Sequence, residues 1–110
     1  MLIYHVALPS DWAKYQGRPS YQTESLQTEG FIHCSYSNQL PGVLKRYFSK
    51  AGKVVVLTID TEKLRSKLIA ETSSGGESFP HIYGRLNHDA VISVEERDLR
   101  SPSGSLADLA

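Results

Sequence analysis

A continuous apolar run in the middle of the chain constrains the fold most strongly. Residues 53–59 read KVVVLTI, with no alternation of polar and apolar side chains. Because successive side chains of a strand point to opposite faces, such a run is typical of a strand that is covered on both faces. We therefore predict a central strand here, with other parts of the chain packed against both sides of its sheet.

The remaining elements predicted from the sequence are short. Between Ser37 and Phe48 apolar residues follow the i, i+3, i+4, i+7 spacing of an amphipathic helix, which Ser37 or Asn38 can cap. A shorter helix is predicted after Pro9, and a helical turn opened by Thr23 or Glu24. Further strands are predicted at residues 2–7, around His33, and at residues 67–71, 79–84 and 90–97. This pattern indicates an α+β fold.

Composition limits the size and the class of the protein. With 110 residues, we expect a single domain over residues 1–98, followed by a flexible tail over residues 99–110. Twelve basic and 12 acidic residues balance, so net charge does not indicate a nucleic-acid partner. The single cysteine excludes an internal disulfide, and neither a leader-like segment nor a bilayer-length apolar run is present. We expect a cytoplasmic protein without membrane contact, and the composition does not fix its oligomeric state.

Three of the four histidines lie in strand-like contexts. His5 is in the first strand, His33 follows Glu29-Gly30-Phe31-Ile32, and His81 lies in the segment FPHIYG. His33 and Ser35 would leave one face of a strand, while Cys34 leaves the other. A titratable ring on an inner face costs desolvation, so three of them predict a polar cleft common to all three. His88, in a predicted turn, is expected to be exposed.

The same residues are compatible with simpler roles. Each histidine could be a structural residue that bonds to backbone. Three histidines could also bind zinc, but no H-x-x-x-H spacing is present and we assign no metal ligands. Cys34 is more typical of a core residue than of a nucleophile. The chain contains no G-x-S-x-G, G-x-G-x-x-G or P-loop motif.

Four blocks in order carry a resemblance to a known family. They are IYHVA at the start, EGFIHCS, VVLTID in the middle and FPHIYG, and together with the last predicted strand they span residues 2–97. The chain resembles a bacterial family named domain of unknown function 952. Members of that family are described as having an ADP-ribosyltransferase-like fold, which implies a split, bent β-sheet with a nucleotide cleft. NAD is the cofactor that this resemblance implies.

The resemblance also implies roles for particular residues. In the related RNA 2′-phosphotransferases two histidine-bearing strands line the cleft, and the segments around His5 and His33 look similar to them. His5 would contact a ribose hydroxyl, and His33 with Ser35 would form the opposite wall. The third position, a glutamate in many of these transferases, falls near His81 or Tyr83. The sequence shows no glutamate there and no arginine beside His5 or His33.

These observations predict a small-molecule nucleotide ligand. The first hypothesis is an enzyme that binds NAD, ADP-ribose or a related nucleotide and catalyses ribosyl or phosphoryl transfer or hydrolysis. The alternative hypothesis is a non-catalytic module that binds a small ligand or a partner protein on the same fold. For the first, the predicted catalytic residues are His5, His33 and His81, and the predicted ligand-binding residues are Tyr4, Ser35 and Tyr83.

Overall fold

The computed structural model of the chain describes residues 1–100, so most of the tail predicted over residues 99–110 lies outside the described residues. The structure is an α+β fold of short helices and mostly antiparallel sheets. The helices are α1 (Pro9–Ala13), α2 (Glu24–Thr28) and α3 (Leu40–Phe48), with a 3-10 turn at His88–Ala90. The strands are β1 (Leu2–Ala7), β2 (Ser20–Tyr21), β3 (Ile32–His33), β4 (Lys53–Asp60), β5 (Lys67–Thr72), β6 (Ser78–Tyr83), β7 (Leu86–Asn87) and β8 (Val91–Asp98). No helix among residues 1–100 combines the length and the apolar character needed to span a bilayer.

Strand β4 is the middle strand of the sheet β1-β4-β8, as the apolar run predicts. One face of β4, with Val55 and Leu57, joins the larger hydrophobic cluster. The opposite face, with Val54 and Val56, joins a second cluster under α3. Because both faces are buried, neither face of this strand needs polar side chains.

A second three-stranded sheet, in the order β3-β6-β5, carries two of the three strand histidines. His33 in β3 lies directly opposite His81 in β6. The two sheets meet at an isolated bridge between Tyr4 and Ser35, where Tyr4 N donates to Ser35 O at 2.8 Å and Ser35 N donates to Tyr4 O at 2.7 Å. This bridge brings the His5 strand next to the His33 segment.

Helix α3 begins later than its sequence predicts. The residue that precedes it is Gln39, not Ser37 or Asn38, and its side chain makes no cap bond to the helix. Gln39 is buried, accepts a hydrogen bond from Tyr36 N at 3.0 Å and donates to Ser78 O at 2.7 Å. The amide therefore ties the start of α3 to β6, a long-range contact that capping rules do not contain.

The last strand, β8, starts at Val91 and is exposed along most of its length. Among the described residues it pairs only with β4, so it is an edge strand of its sheet. Ile92 is 49% exposed and Val94 is 52% exposed, so the last strand predicted at residues 90–97 is present but does not bury one of its faces. Leu99, placed in the tail from sequence, packs against the second hydrophobic cluster, and its N donates to Gly52 O at 2.6 Å.

The sequence does not predict the pair formed by β2 and β7. Each strand has two residues, which is too short for a recognisable alternation of polar and apolar side chains. Tyr21 is nevertheless among the most deeply buried side chains, at 1% exposure. This short pair places the Tyr21 hydroxyl next to β1.

Candidate functional site

His5, His33 and His81 line one cavity of about 560 Å³, within the size range of small-molecule sites. Ser35 lines it as well, and we call this space the histidine cavity. Its walls come from both three-stranded sheets, from α3 and from the start of α2. The remaining two predicted ligand-binding residues are not among its lining residues within the described part of the chain. Tyr4 packs near α3, and the hydroxyl of Tyr83 binds Glu71.

His5 is buried, and both of its ring nitrogens have partners. Nδ1 lies 2.6 Å from the backbone oxygen of His33, and Nε2 lies 3.0 Å from the hydroxyl of Tyr21. Because a carbonyl only accepts, Nδ1 carries the proton and donates it. Burial lowers the pKa of His5 to about 4, and the bond to the His33 carbonyl opposes this effect only in part. His5 is therefore neutral near pH 7, and its Nε2 accepts a hydrogen bond from Tyr21.

Tyr21 is the centre of an aromatic group behind His5. The rings of Trp12 and Tyr15 each lie 5.4 Å from the Tyr21 ring, so both are packing residues. Burial raises the pKa of the Tyr21 hydroxyl, and the nearby charge of Asp11 raises it further. The hydroxyl thus keeps its proton and remains a donor to His5.

His81 has a different environment. Its Nδ1 lies 2.7 Å from Oε1 of Glu71, and its ring stacks on Phe31 with centroids 4.0 Å apart and planes 16° from parallel. The side chain is 14% exposed. The side-chain hydrogen bonds found within residues 1–100 include Nδ1 of His81 but not its Nε2. The ring is therefore fixed on one side and free to bond on the other.

Glu71 is the site residue that sequence reasoning missed. It accepts hydrogen bonds from His81 and from the hydroxyl of Tyr83. These bonds, that of Tyr83 first, hold the pKa of Glu71 below its ordinary value, and the same contact raises the pKa of Tyr83. The available signal was the β5–β6 pairing, because a hairpin of the two predicted strands places Glu71 diagonally to His81 on one face.

His33 is the most exposed of the three histidines, at 54% of its side chain. Its Nε2 lies 3.2 Å from Oε2 of Glu29, four residues earlier. Its ring meets Phe31 edge-on at 4.8 Å and His81 edge-on at 5.4 Å. His33 and His81 thus form one group around Phe31, whereas His5 stands apart with Tyr21.

The residues after His33 depart from simple strand alternation. Strand β3 ends at His33, and both Cys34 and Ser35 are buried and line the cavity. Burial raises the pKa of the Cys34 thiol, which disfavours a thiolate nucleophile. Ser35 is 4% exposed, and none of the side-chain hydrogen bonds found within residues 1–100 involves its hydroxyl. It is therefore available to a ligand.

The prediction that His88 is exposed was wrong. The side chain is half-buried, its ring lies 5.3 Å from that of Trp12, and its Nε2 is buried with no partner among residues 1–100. His88 does not line the histidine cavity. Across the same residues, no group of three or more His, Cys, Asp or Glu side chains is arranged to hold a metal ion.

Comparison with known proteins assigns the chain to a family. The family model described as "Protein of unknown function (DUF952)" matches residues 6–94, a range that includes His33, Ser35 and His81 and begins one residue after His5. The chain belongs to the DUF952 family. The DUF952 match covers every strand from β2 to β7 and most of the cavity wall. Comparison with the curated proteins gave no match.

Solved structures similar to this DUF952 protein come from Caulobacter crescentus. The crystal structure of protein CC0527 is 28% identical, with a TM-score of 0.76 over 89% of this chain and 85% of that chain. The solution NMR structure of CC0527 is 26% identical, with a TM-score of 0.75 over 99% of this chain and 96% of that chain. The two chains are thus similar over nearly their whole lengths.

Proposed function

We propose that the histidine cavity binds NAD, ADP-ribose or a related nucleotide and catalyses transfer or hydrolysis at the ribosyl C1 carbon. The proposal includes an ADP-ribosyltransferase-like arrangement of the two three-stranded sheets. It is supported by the Tyr4–Ser35 bridge, which joins the sheets beside the cavity, and by the cavity's mixed polar and aromatic walls. DUF952 membership gives no chemistry of its own.

The hydrogen bond between Glu71 and His81 is the observation that carries the catalytic part of the proposal. A carboxylate that accepts from Nδ1 fixes the tautomer of the ring and leaves Nε2 as a proton acceptor. Ring stacking on Phe31 restricts the orientation of the imidazole. A histidine fixed on one side, with a free nitrogen next to a cavity, has the requirements of a general base.

The proposed reaction is displacement at C1. The bond from C1 to the leaving nitrogen breaks, and its electron pair departs with that nitrogen. A water molecule, or the hydroxyl of an acceptor, forms the new bond to C1 and gives its proton to Nε2 of His81. Glu71 then faces an imidazolium, whose charge its carboxylate stabilises. The proton afterwards passes to solvent.

Glu71 also changes how the missing glutamate is interpreted. The family resemblance placed no carboxylate at the third position, yet Glu71 reaches His81 from the neighbouring strand. Glu71 is not among the residues that line the cavity, so it acts through His81 as a positioning residue. In this proposal His33 and Ser35 contact the ligand, His5 forms part of the wall through its fully bonded ring, and Tyr83 orients Glu71. Tyr4 supports the bridge to Ser35.

The test is nucleotide binding and nicotinamide release by the full chain. We expect NAD or ADP-ribose to raise the melting temperature of the wild type, and NAD to release nicotinamide. His81→Gln should lower the release rate about 10²–10⁴-fold, the usual contribution of a general base, with little loss of binding. His88→Gln is the matched control, because His88 lies outside the cavity.

The outcomes separate three cases. Release that persists in His81→Gln would exclude this role of His81. Binding without any release in the wild type would favour the non-catalytic module. The proposal fails as a whole when no nucleotide of this class shifts the melting temperature.

A further inference from the structure

We propose that the part of the ligand held inside the histidine cavity is positively charged, so that the substrate is a nucleoside with a cationic N-ribosyl ring. Any phosphate groups would then lie outside the cavity. This inference rests on the proposed function, because it names the substrate class of the same cavity. For a dinucleotide such as NAD, the inference predicts that the end with the cationic nicotinamide ring enters the cavity.

The charges of the cavity wall favour a cation. Asp11 and Glu24 line the cavity, and no lysine or arginine does so within the described part of the chain. His5 is neutral because both of its nitrogens are bonded and it is buried. A phosphate brought into this cavity would leave water without gaining a lysine or arginine as partner, which is costly. Among the residues described, the only other basic side chains of the wall are those of His33 and His81.

Two basic side chains that contact lining residues are not themselves part of the wall. Lys14 Nζ is 3.3 Å from Oδ1 of Asp11, and the side chain is largely exposed. The guanidinium of Arg46 lies over the ring of Tyr47, 5.8 Å from its centroid, on the exposed side of α3. Glu24 has no ionic partner among residues 1–100, so it is the carboxylate that remains available to a ligand.

Aromatic rings add to the preference for a cation. Phe48 and Phe79 line the cavity, and so does Tyr47, whose ring already has the Arg46 guanidinium over one face. The face of an aromatic ring attracts a cation electrostatically, and the attraction grows when water is excluded. Planar cationic rings can also stack on these side chains.

Ser35 supplies the polar contact that such a ligand needs. The residue is 4% exposed and lines the cavity, and none of the side-chain hydrogen bonds found in the described residues uses its hydroxyl. A hydroxyl both donates and accepts, so it can bind a ribose hydroxyl or a carboxamide.

Cationic rings also suit the chemistry. When the bond from C1 to a ring nitrogen breaks, the electron pair that stays on that nitrogen cancels the positive charge. The leaving group departs neutral and needs no proton from the protein. The cavity therefore requires a base for water, which His81 provides, and no general acid. His5, which is neutral near pH 7, is consistent with a cavity that needs no general acid.

The experiment compares three ligands by isothermal titration calorimetry with the full chain. They are nicotinamide riboside, its uncharged 1,4-dihydro form and ADP-ribose. We expect nicotinamide riboside to bind at least about tenfold more tightly than the dihydro form, which has nearly the same shape. Glu24→Gln should reduce that ratio about twofold to fivefold, the range for an exposed charge. Glu96→Gln, on the exposed strand β8, is the matched control.

Three results would overturn the inference. Equal affinity for the charged and uncharged forms would remove the charge preference. Binding of ADP-ribose without binding of either riboside would also overturn it, while leaving the proposed nucleotide function in place. If none of the three ligands binds, both the inference and the proposed function fail.

Discussion

His5 in β1 and His81 in β6 line the same cavity but differ in the number of free ring nitrogens. His5 donates to the His33 carbonyl and accepts from Tyr21, and it is almost fully buried. His81 is tied to Glu71 through Nδ1 only, and its Nε2 is unbonded among residues 1–100. The fully bonded ring therefore stabilises the wall, and the ring with a free nitrogen can carry out proton transfer.

This difference shows that a shifted pKa alone does not identify a proton-transfer residue. Burial moves the pKa of His5 to about 4, far from neutral pH, but leaves it no nitrogen with which to take a proton from a substrate. A general base needs a free nitrogen within reach of the substrate before its pKa matters. His81, which lines the cavity, has a free nitrogen, and His5 has none.

The largest predicted effect is a dependence of the free energy of unfolding on pH, caused by protonation of His5. Its pKa is about 4 in the folded protein against 6.5 in an unfolded chain, so between these values only the unfolded chain binds a proton. The free energy of unfolding therefore has its full value above pH 6.5 and decreases as the pH falls towards 4. The loss is on the order of 3 kcal/mol. Urea unfolding at several pH values should show it.

His5→Gln tests whether this slope comes from His5. The variant removes the titrating ring, so its unfolding free energy should vary less between pH 6.5 and pH 4 than that of the wild type. Val94→Thr is the control, because Val94 is exposed on strand β8 and its replacement leaves His5 and its hydrogen-bond partners unchanged. If the free energy of unfolding of His5→Gln varies with pH as strongly as that of the wild type, His5 is not the source of the pH dependence.

A smaller effect is expected from Tyr21→Phe. The variant keeps the ring but removes the hydroxyl, which leaves the buried Nε2 of His5 without a donor. An unsatisfied buried acceptor should lower the free energy of unfolding by about 1–2 kcal/mol. Tyr15→Phe, which alters a ring packed on Tyr21, should cost less than half as much in the same urea titration. Equal costs would show that packing, and not the hydrogen bond, stabilises this corner.

Much of the sheet framework could be predicted from local sequence. The KVVVLTI run indicates the middle strand, and the helix pattern before Phe48 indicates α3, because both depend on side-chain periodicity. Strands β2 and β7 could not be predicted, since two residues carry no period. The start of α3 was misplaced because Gln39 bonds to β6, a contact between residues far apart in the sequence.

The candidate site was predictable in its histidines but not in their roles. His5, His33 and His81 are inward-facing polar residues in the sequence pattern, and the structure places all three on one cavity. Which nitrogens are free depends on Tyr21 in β2 and on Glu71 in β5. These partners depend on which strands pair and in which register, and the local sequence pattern does not specify either.

The smallest predicted effect concerns the pKa of Glu71. The hydrogen bond from Tyr83 is the main cause that lowers it, ahead of the bond from His81. Tyr83→Phe removes that donor, so the pKa of Glu71 should rise towards its ordinary value while His81 stays bonded. The carboxylate is partly exposed, so solvent limits the change. Carbon-13 NMR titration of the Glu71 carboxyl group measures it, with Tyr36→Phe as the control. A Glu71 pKa unaffected by Tyr83→Phe would mean that His81 alone holds the carboxylate, and Tyr83 would then have no part in orienting the base.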